Sequence, residues 1–139
     1  MARVQLALNV SDIDAAVDFY STLFGTAAHK RRPGYANFEI ADPPMKLVLF
    51  EVADRGVGVT RAMNHIGVEV ADPADVGVRD AELATQVPQI RREPGVECCH
   101  AVQEKFWVSD PDGVEWEVYA ITNDTPDGLD LLSEKGCCA

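Results

Sequence analysis

The chain has 139 residues, 47% hydrophobic and 25% charged, the balance of a single globular domain with room for a real core. Its 23 acidic and 12 basic residues leave a formal charge of −11, which repels nucleic acid and anionic lipid and points to small ligands or protein partners. The opening MARVQLALNVSD carries Arg3, Gln5 and Asn9, too short and too polar for a signal peptide or membrane span, so a cytoplasmic protein is expected.

Val4–Val10 alternates, with Val4, Leu6, Leu8 and Val10 on one face and Gln5, Ala7 and Asn9 on the other, the period of a half-buried strand. Gln5 is therefore expected to point away from the apolar layer. Ser11 is the expected cap of a helix whose Ile13, Ala16, Val17, Tyr20 and Phe24 recur at three- and four-residue steps, with Gly25 as its stop. Three strands then follow around Thr26–Lys30, Tyr35–Ile40 and Lys46–Val52, punctuated by Pro33-Gly34 and Pro43-Pro44. This is a βαβββ module, followed by a linker over Ala53–Met63.

Residues 5–12, QLALNVSD, then return as residues 65–72, HIGVEVAD, so that Gln5 falls on His65, Val10 on Val70 and Asp12 on Asp72. Self-similarity of this kind marks a repeated unit. The second copy repeats the order: a strand at His65–Val70, a helix opening at Asp72-Pro73 and weakened by Gly77, then strands near Gln89–Glu93, Lys105–Ser109 and Glu115–Ile121. In the last strand Val114, Trp116 and Val118 alternate with Glu115, Glu117 and Tyr119, which puts two carboxylates on the polar face. Residues 1–122 thus read as one domain of two modules, and 123–139 as a mobile polar tail.

QLALNVSDIDAAVDFYSTLFG, NHIGVEV and DPDGVEWEVY resemble the vicinal oxygen chelate superfamily of glyoxalases, extradiol dioxygenases and antibiotic-resistance proteins, over residues 3–122. The resemblance implies an α+β fold in which two βαβββ modules form a cupped mixed sheet around a divalent metal. Its ligands come from the first strand of each module and from the last strand, which here implies Gln5, His65 and Glu117, and selects Glu117 over Glu115. An imidazole, a carboxylate and an amide oxygen suit Fe(II), Mn(II), Ni(II) or Zn(II) alike. A plain glyoxalase would want a further carboxylate in the first module, where Lys46–Phe50 offers only Leu, Val and Phe after the lysine.

Glu97-Cys98-Cys99-His100 narrows the resemblance. Adjacent cysteines close only a strained ring, so in a reducing compartment the pair is expected as a dithiol, a soft donor set suited to soft metals or trivalent arsenic. A buried apolar role is the alternative for such a pair. With YANFEIADPPMKLVLFEV, NHIGVEV and ECCHAVQEKFWVSDPDGVEWEVY, the chain is similar to the organoarsenical carbon–arsenic lyases and the related cadmium-induced proteins. That resemblance implies that Cys98 and Cys99 capture a trivalent organoarsenical substrate, methyl or aromatic. It also implies that an Fe(II) site activates dioxygen to split the carbon–arsenic bond and release arsenite. His100 and Val102 lie beside the thiol pair with no defined role.

Tyr35, Phe38, Phe106 and Trp107 are aromatic candidates for a substrate pocket, with core packing as the competing use. Cys137 and Cys138 form a second pair, read either as an accessory thiol clamp or as part of a tail with no catalytic role. Two rival functions stand beside the lyase: thiol sequestration of cadmium or arsenite, and another metal-dependent dioxygenase or glyoxalase-like enzyme of the same fold.

Overall fold

The computed structural model describes residues 2–52, 62–87, 89–98 and 101–124. Cys99, His100, Cys137, Cys138, nearly all of the expected linker and nearly all of the expected tail therefore lie outside the described residues. The elements run β1 (Arg3–Val10), α1 (Ile13–Phe24), β2 (Lys30–Arg32), β3 (Tyr35–Ile40), β4 (Met45–Glu51), then β5 (Met63–Glu69), α2 (Pro73–Ala84), β6 (Arg91–Cys98), β7 (Ala101–Ser109) and β8 (Glu115–Asn123). The βαβββ order read from the repeat is thus the observed one, twice over. The strands form a mixed sheet in the hydrogen-bonded order β2-β3-β4-β1-β5-β8-β7-β6.

Two compact units divide the chain, Arg3–Ile66 and the residues from Gly67 on, the latter with the first two residues. In the N-terminal unit, β1 pairs in parallel with β4, placing Gln5 beside Lys46, while β4 pairs antiparallel with β3. Leu47 and Leu49 of β4 face one side with Phe38 and Ile40 of β3, and Ile13 and Val17 of α1 cover them. The opposite face buries polar groups instead: Gln5, Asn37, Lys46 and His65. Period-two alternation on strands and a helix stripe together produce that division.

Asp12 caps α1, not Ser11: its backbone is extended and its Oδ1 accepts from the Ala15 amide at 3.1 Å. Glu51 Oε2 accepts from the Ile13 amide at 2.9 Å, so two carboxylates meet the donors that a helix start leaves open. Gly25, at φ 64°, ends the helix in the left-handed conformation that glycine adopts without a Cβ clash. The strand expected at Thr26–Lys30 forms only from Lys30. The two-residue turn Pro33-Gly34 sets Arg32 opposite Tyr35, and that register decides which residues pair.

In the C-terminal unit, Phe106, Val118, Ala120 and Val70 form a core covered by Val76 of α2. Asp72 caps that helix, with Pro73 in its first turn, as its spacing suggests, and Gly77 does not interrupt it. β6 and β7 are longer than the sequence indicates because they pair with each other out to Cys98 and Ala101, past an irregularity between Glu93 and Val96. Arg92 binds Asp80 with two hydrogen bonds of 2.6 and 2.7 Å. Among the described residues no helix is long and apolar enough to cross a membrane.

Candidate metal centre

Gln5 is 5% exposed and His65 7% exposed, and each lies on the polar side of its strand, opposite the core. Their side chains meet, Gln5 Nε2 to His65 Nε2, at 3.1 Å. A carboxamide nitrogen only donates, so the ring nitrogen accepts and presents a lone pair toward Gln5. On the other side of the ring, His65 Nδ1 lies 2.8 Å from Asn64 Oδ1, which only accepts, so Nδ1 carries the proton. Asn64 Nδ2 in turn donates to Asn9 Oδ1 at 2.9 Å. The Phe50 ring flanks the imidazole, with centroids 6.4 Å apart.

The donor types suit a divalent cation, a ring nitrogen and a carboxamide oxygen; the 3.1 Å contact itself is a hydrogen bond from an amide N–H, which is no metal donor. Turning the Gln5 carboxamide over would exchange its nitrogen for an oxygen beside His65 Nε2. Among the described residues no three His, Cys, Asp or Glu side chains cluster as a metal site, and the amide of Gln5 falls outside that donor set. On β4 the neighbouring positions are Lys46, paired in register with Gln5, and Val48, paired with Ala7, so that strand offers no carboxylate there.

Glu117 belongs to the C-terminal unit, where its carboxylate is buried against Lys105, Oε1 to Nζ at 2.7 Å, with the side chains 4% and 0% exposed. The strand register explains the contact. Trp107 stands opposite Glu117 and Lys105 opposite Tyr119, so Lys105 reaches Glu117 on the diagonal, within range of a long side chain. A carboxylate held this far from water needs a positive partner, and Lys105 is that partner. Glu115, the other carboxylate on this strand face, is 50% exposed and lies 3.5 Å from Arg91. The environments therefore separate the two glutamates that alternation alone left equal.

β5 and β8 approach closely here: a Cβ on Gly67 would stand 2.7 Å from the Glu117 carbonyl oxygen. Two positions along β8, Tyr119 donates to Glu69 Oε2 at 2.7 Å. Trp107 carries the Arg91 guanidinium 5.2 Å from its ring centroid and the Lys105 ammonium 5.5 Å from it, a cation–π arrangement. Beside it opens a cavity of about 280 Å³ lined by Gln89, Arg91, Trp107, Ser109 and Glu115, among others.

The four aromatic candidates divide. Phe38 and Phe106 lie in the two cores, so packing accounts for them. Tyr35 accepts a hydrogen bond from Asn37 Nδ2 at 2.9 Å and packs on Phe50, and Trp107 lines the cavity. Among the basic side chains, Lys30 is buried at 7% exposure, whereas Arg31 and Arg91 are about half exposed. Lys105, Asn64 and Asn9 escaped the sequence reading. The signal for Lys105 was its place in the Gln103, Lys105, Trp107 alternation opposite Glu117; the asparagines gave none, since amides on strands are ordinarily solvated. Cys98 ends β6, its backbone paired with Ala101.

The family model described as the glyoxalase/bleomycin resistance protein/dioxygenase superfamily matches residues 3–118. Over 138 residues the chain is 49% identical to the trivalent organoarsenical cleaving enzyme of Thermomonospora curvata, covering 99% of this chain and 89% of that one. It is 50% identical over 125 residues to the cadmium-induced protein CadI of Mycobacterium tuberculosis, 90% of this chain and 80% of that one. The solved Mn(II)-bound glyoxalase from Novosphingobium aromaticivorans shares the fold at a TM-score of 0.59 and 19% identity, over 91% of this chain and 43% of that one.

Proposed function

The chain belongs to the glyoxalase/bleomycin resistance protein/dioxygenase superfamily, and from that premise we propose that it cleaves the carbon–arsenic bond of trivalent organoarsenicals, using Fe(II) and dioxygen and releasing arsenite. The observation that carries the reading is the 49% identity to a relative named as a trivalent organoarsenical cleaving enzyme, which supports the substrate class, and the buried contact of Gln5 with His65 supports a metal site.

Gln5, His65 and Glu117 hold the metal in this reading. Fe(II), when bound there, would supply the dioxygen-activating chemistry that side chains lack. The thiolates of Cys98 and Cys99 bind the arsenic, which fixes its position and orientation against the reacting centre. Lys105 balances the Glu117 charge within the protein and holds the carboxylate at a defined atom. Asn64 and Asn9 orient the His65 ring.

The test is arsenite release from methylarsenite in air by the Fe(II)-loaded protein, beside an anaerobic control and the variants Cys98→Ser and Glu117→Ala. Release by the wild type and loss in all three controls is the expected pattern. The relatives named as cadmium-induced favour one second reading, thiol sequestration. Binding of the arsenical without cleavage, undiminished in Glu117→Ala, would establish that reading in place of the lyase.

A further inference from the structure

We propose that Asn64 is a positioning residue for His65: clamped by Asn9, its carboxamide oxygen holds the imidazole in the tautomer protonated at Nδ1, so that Nε2 keeps its lone pair for a divalent cation. The inference rests on His65 being a metal ligand, and it concerns only the N-terminal unit.

Three contacts form one directional chain on the polar face. Gln5 Nε2 donates to His65 Nε2 at 3.1 Å, His65 Nδ1 donates to Asn64 Oδ1 at 2.8 Å, and Asn64 Nδ2 donates to Asn9 Oδ1 at 2.9 Å. Each carboxamide nitrogen can only donate and each carboxamide oxygen can only accept, so the direction of one link dictates the next. Reversing the chain would present the Asn64 amide nitrogen to Nδ1, move the ring proton to Nε2 and block metal binding there. That reversal requires the Asn64 and Asn9 amides to turn over together, whereas Gln5 can turn alone and leave the Nδ1 proton in place. In metal proteins the partner of the distal ring nitrogen commonly sets the tautomer and ring orientation, and here an amide from the adjacent residue does so instead of a carboxylate. A neutral partner suits this face, where Gln5 and His65 are both buried and a further carboxylate would carry a desolvation cost.

The asparagine pair is placed by the backbone rather than by chance contact. Asn9 N donates to Ala62 O at 2.7 Å, which ties the end of β1 to the residue just ahead of β5. Asn64 follows Met63 at the start of β5, and its side chain is only part-buried. Loss of its packing alone should therefore be mild.

The experiment uses the full chain free of metal, with ¹⁵N-labelled histidine, and reads the tautomer of the neutral His65 ring from long-range ¹⁵N–¹H correlations, assigned with His65→Gln. Co(II) and Mn(II) affinities are measured alongside, with no arsenical present. The expected result is the Nδ1–H tautomer in the wild type. In Asn64→Leu we expect a mixture of tautomers and metal binding weakened by about 10-fold, the order typical of lost ligand-orienting partners. Asn64→Asp still offers an acceptor to Nδ1–H, and Asn9 can turn its amide to donate to it. That variant is expected to keep the wild-type tautomer and bind metal within about 3-fold of wild type.

An Nε2–H tautomer in the wild type overturns the proposal. So does a folded Asn64→Leu with wild-type tautomer and affinity, or a folded Asn64→Asp that behaves like Asn64→Leu. Should Asn64→Leu fail to fold, the wild-type spectrum and Asn64→Asp still decide. Because no substrate is involved, failure of carbon–arsenic cleavage leaves this result standing. Absence of Co(II) and Mn(II) binding in the wild type removes both the metal reading and this inference.

Discussion

In the N-terminal unit the polar face buries two neutral groups, Gln5 and His65, 3.1 Å apart, whereas in the C-terminal unit it buries a full ion pair, Lys105 and Glu117, at 2.7 Å. The strands that carry Gln5 and His65 are copies of each other in sequence. An amide and an imidazole enter the interior at modest desolvation cost and are held in place by hydrogen bonds. A carboxylate at 4% exposure requires a counter-charge, and Lys105 supplies one. The two units thus bury polar side chains by different means: directional hydrogen bonding in one and charge balance in the other.

The largest expected effect comes from breaking the charge balance. Lys105→Met takes the Lys105 ammonium away from the buried Glu117 carboxylate and should destabilise the protein by about 3–5 kcal/mol, read from the urea midpoint. The double variant Lys105→Met with Glu117→Leu should recover most of that loss, because an apolar pair of similar volume can replace a buried ion pair at little net cost. If the single variant lost less than 1 kcal/mol, the pair would be better described as a surface contact.

The neutral pair should be less sensitive. Gln5→Leu removes a neutral hydrogen bond and leaves the His65 acceptor without that donor, an expected loss of about 1–2 kcal/mol without metal. The same variant should abolish Co(II) binding at far smaller cost to folding than Lys105→Met. A loss of 4 kcal/mol in Gln5→Leu would show that the two faces are held alike and would end the contrast. Smallest is the local cap: Asp12→Ala should lower stability by about 1 kcal/mol, because Glu51 still serves the Ile13 amide.

How much of this was legible in the chain can be argued from particular residues. The helix at Ile13–Phe24 and the strand at Tyr35–Ile40 match their periodic patterns, since burial on one stripe or one face repeats in sequence as it does in space. The cap moved from Ser11 to Asp12, both good capping residues, because the side chain that reaches the third helical amide takes the role. The strand sought at Thr26–Lys30 began late because its register came from the turn at Pro33-Gly34, and β6 and β7 ran long because each completes the other's hydrogen bonds.

By itself the sequence determined the duplicated βαβββ order, the apolar and polar faces of the strands and the pairing of Gln5 with His65 as equivalent positions, because all of these are periodic or repeated along the chain. Tertiary structure alone decided what surrounds each polar group. Glu117 differs from Glu115 because Lys105 reaches it across the strand register, and His65 Nδ1 meets Asn64 Oδ1, whose amide in turn meets Asn9. Such contacts join residues with no fixed spacing, so only folding brings them together and gives each its charge partner or its hydrogen-bond direction.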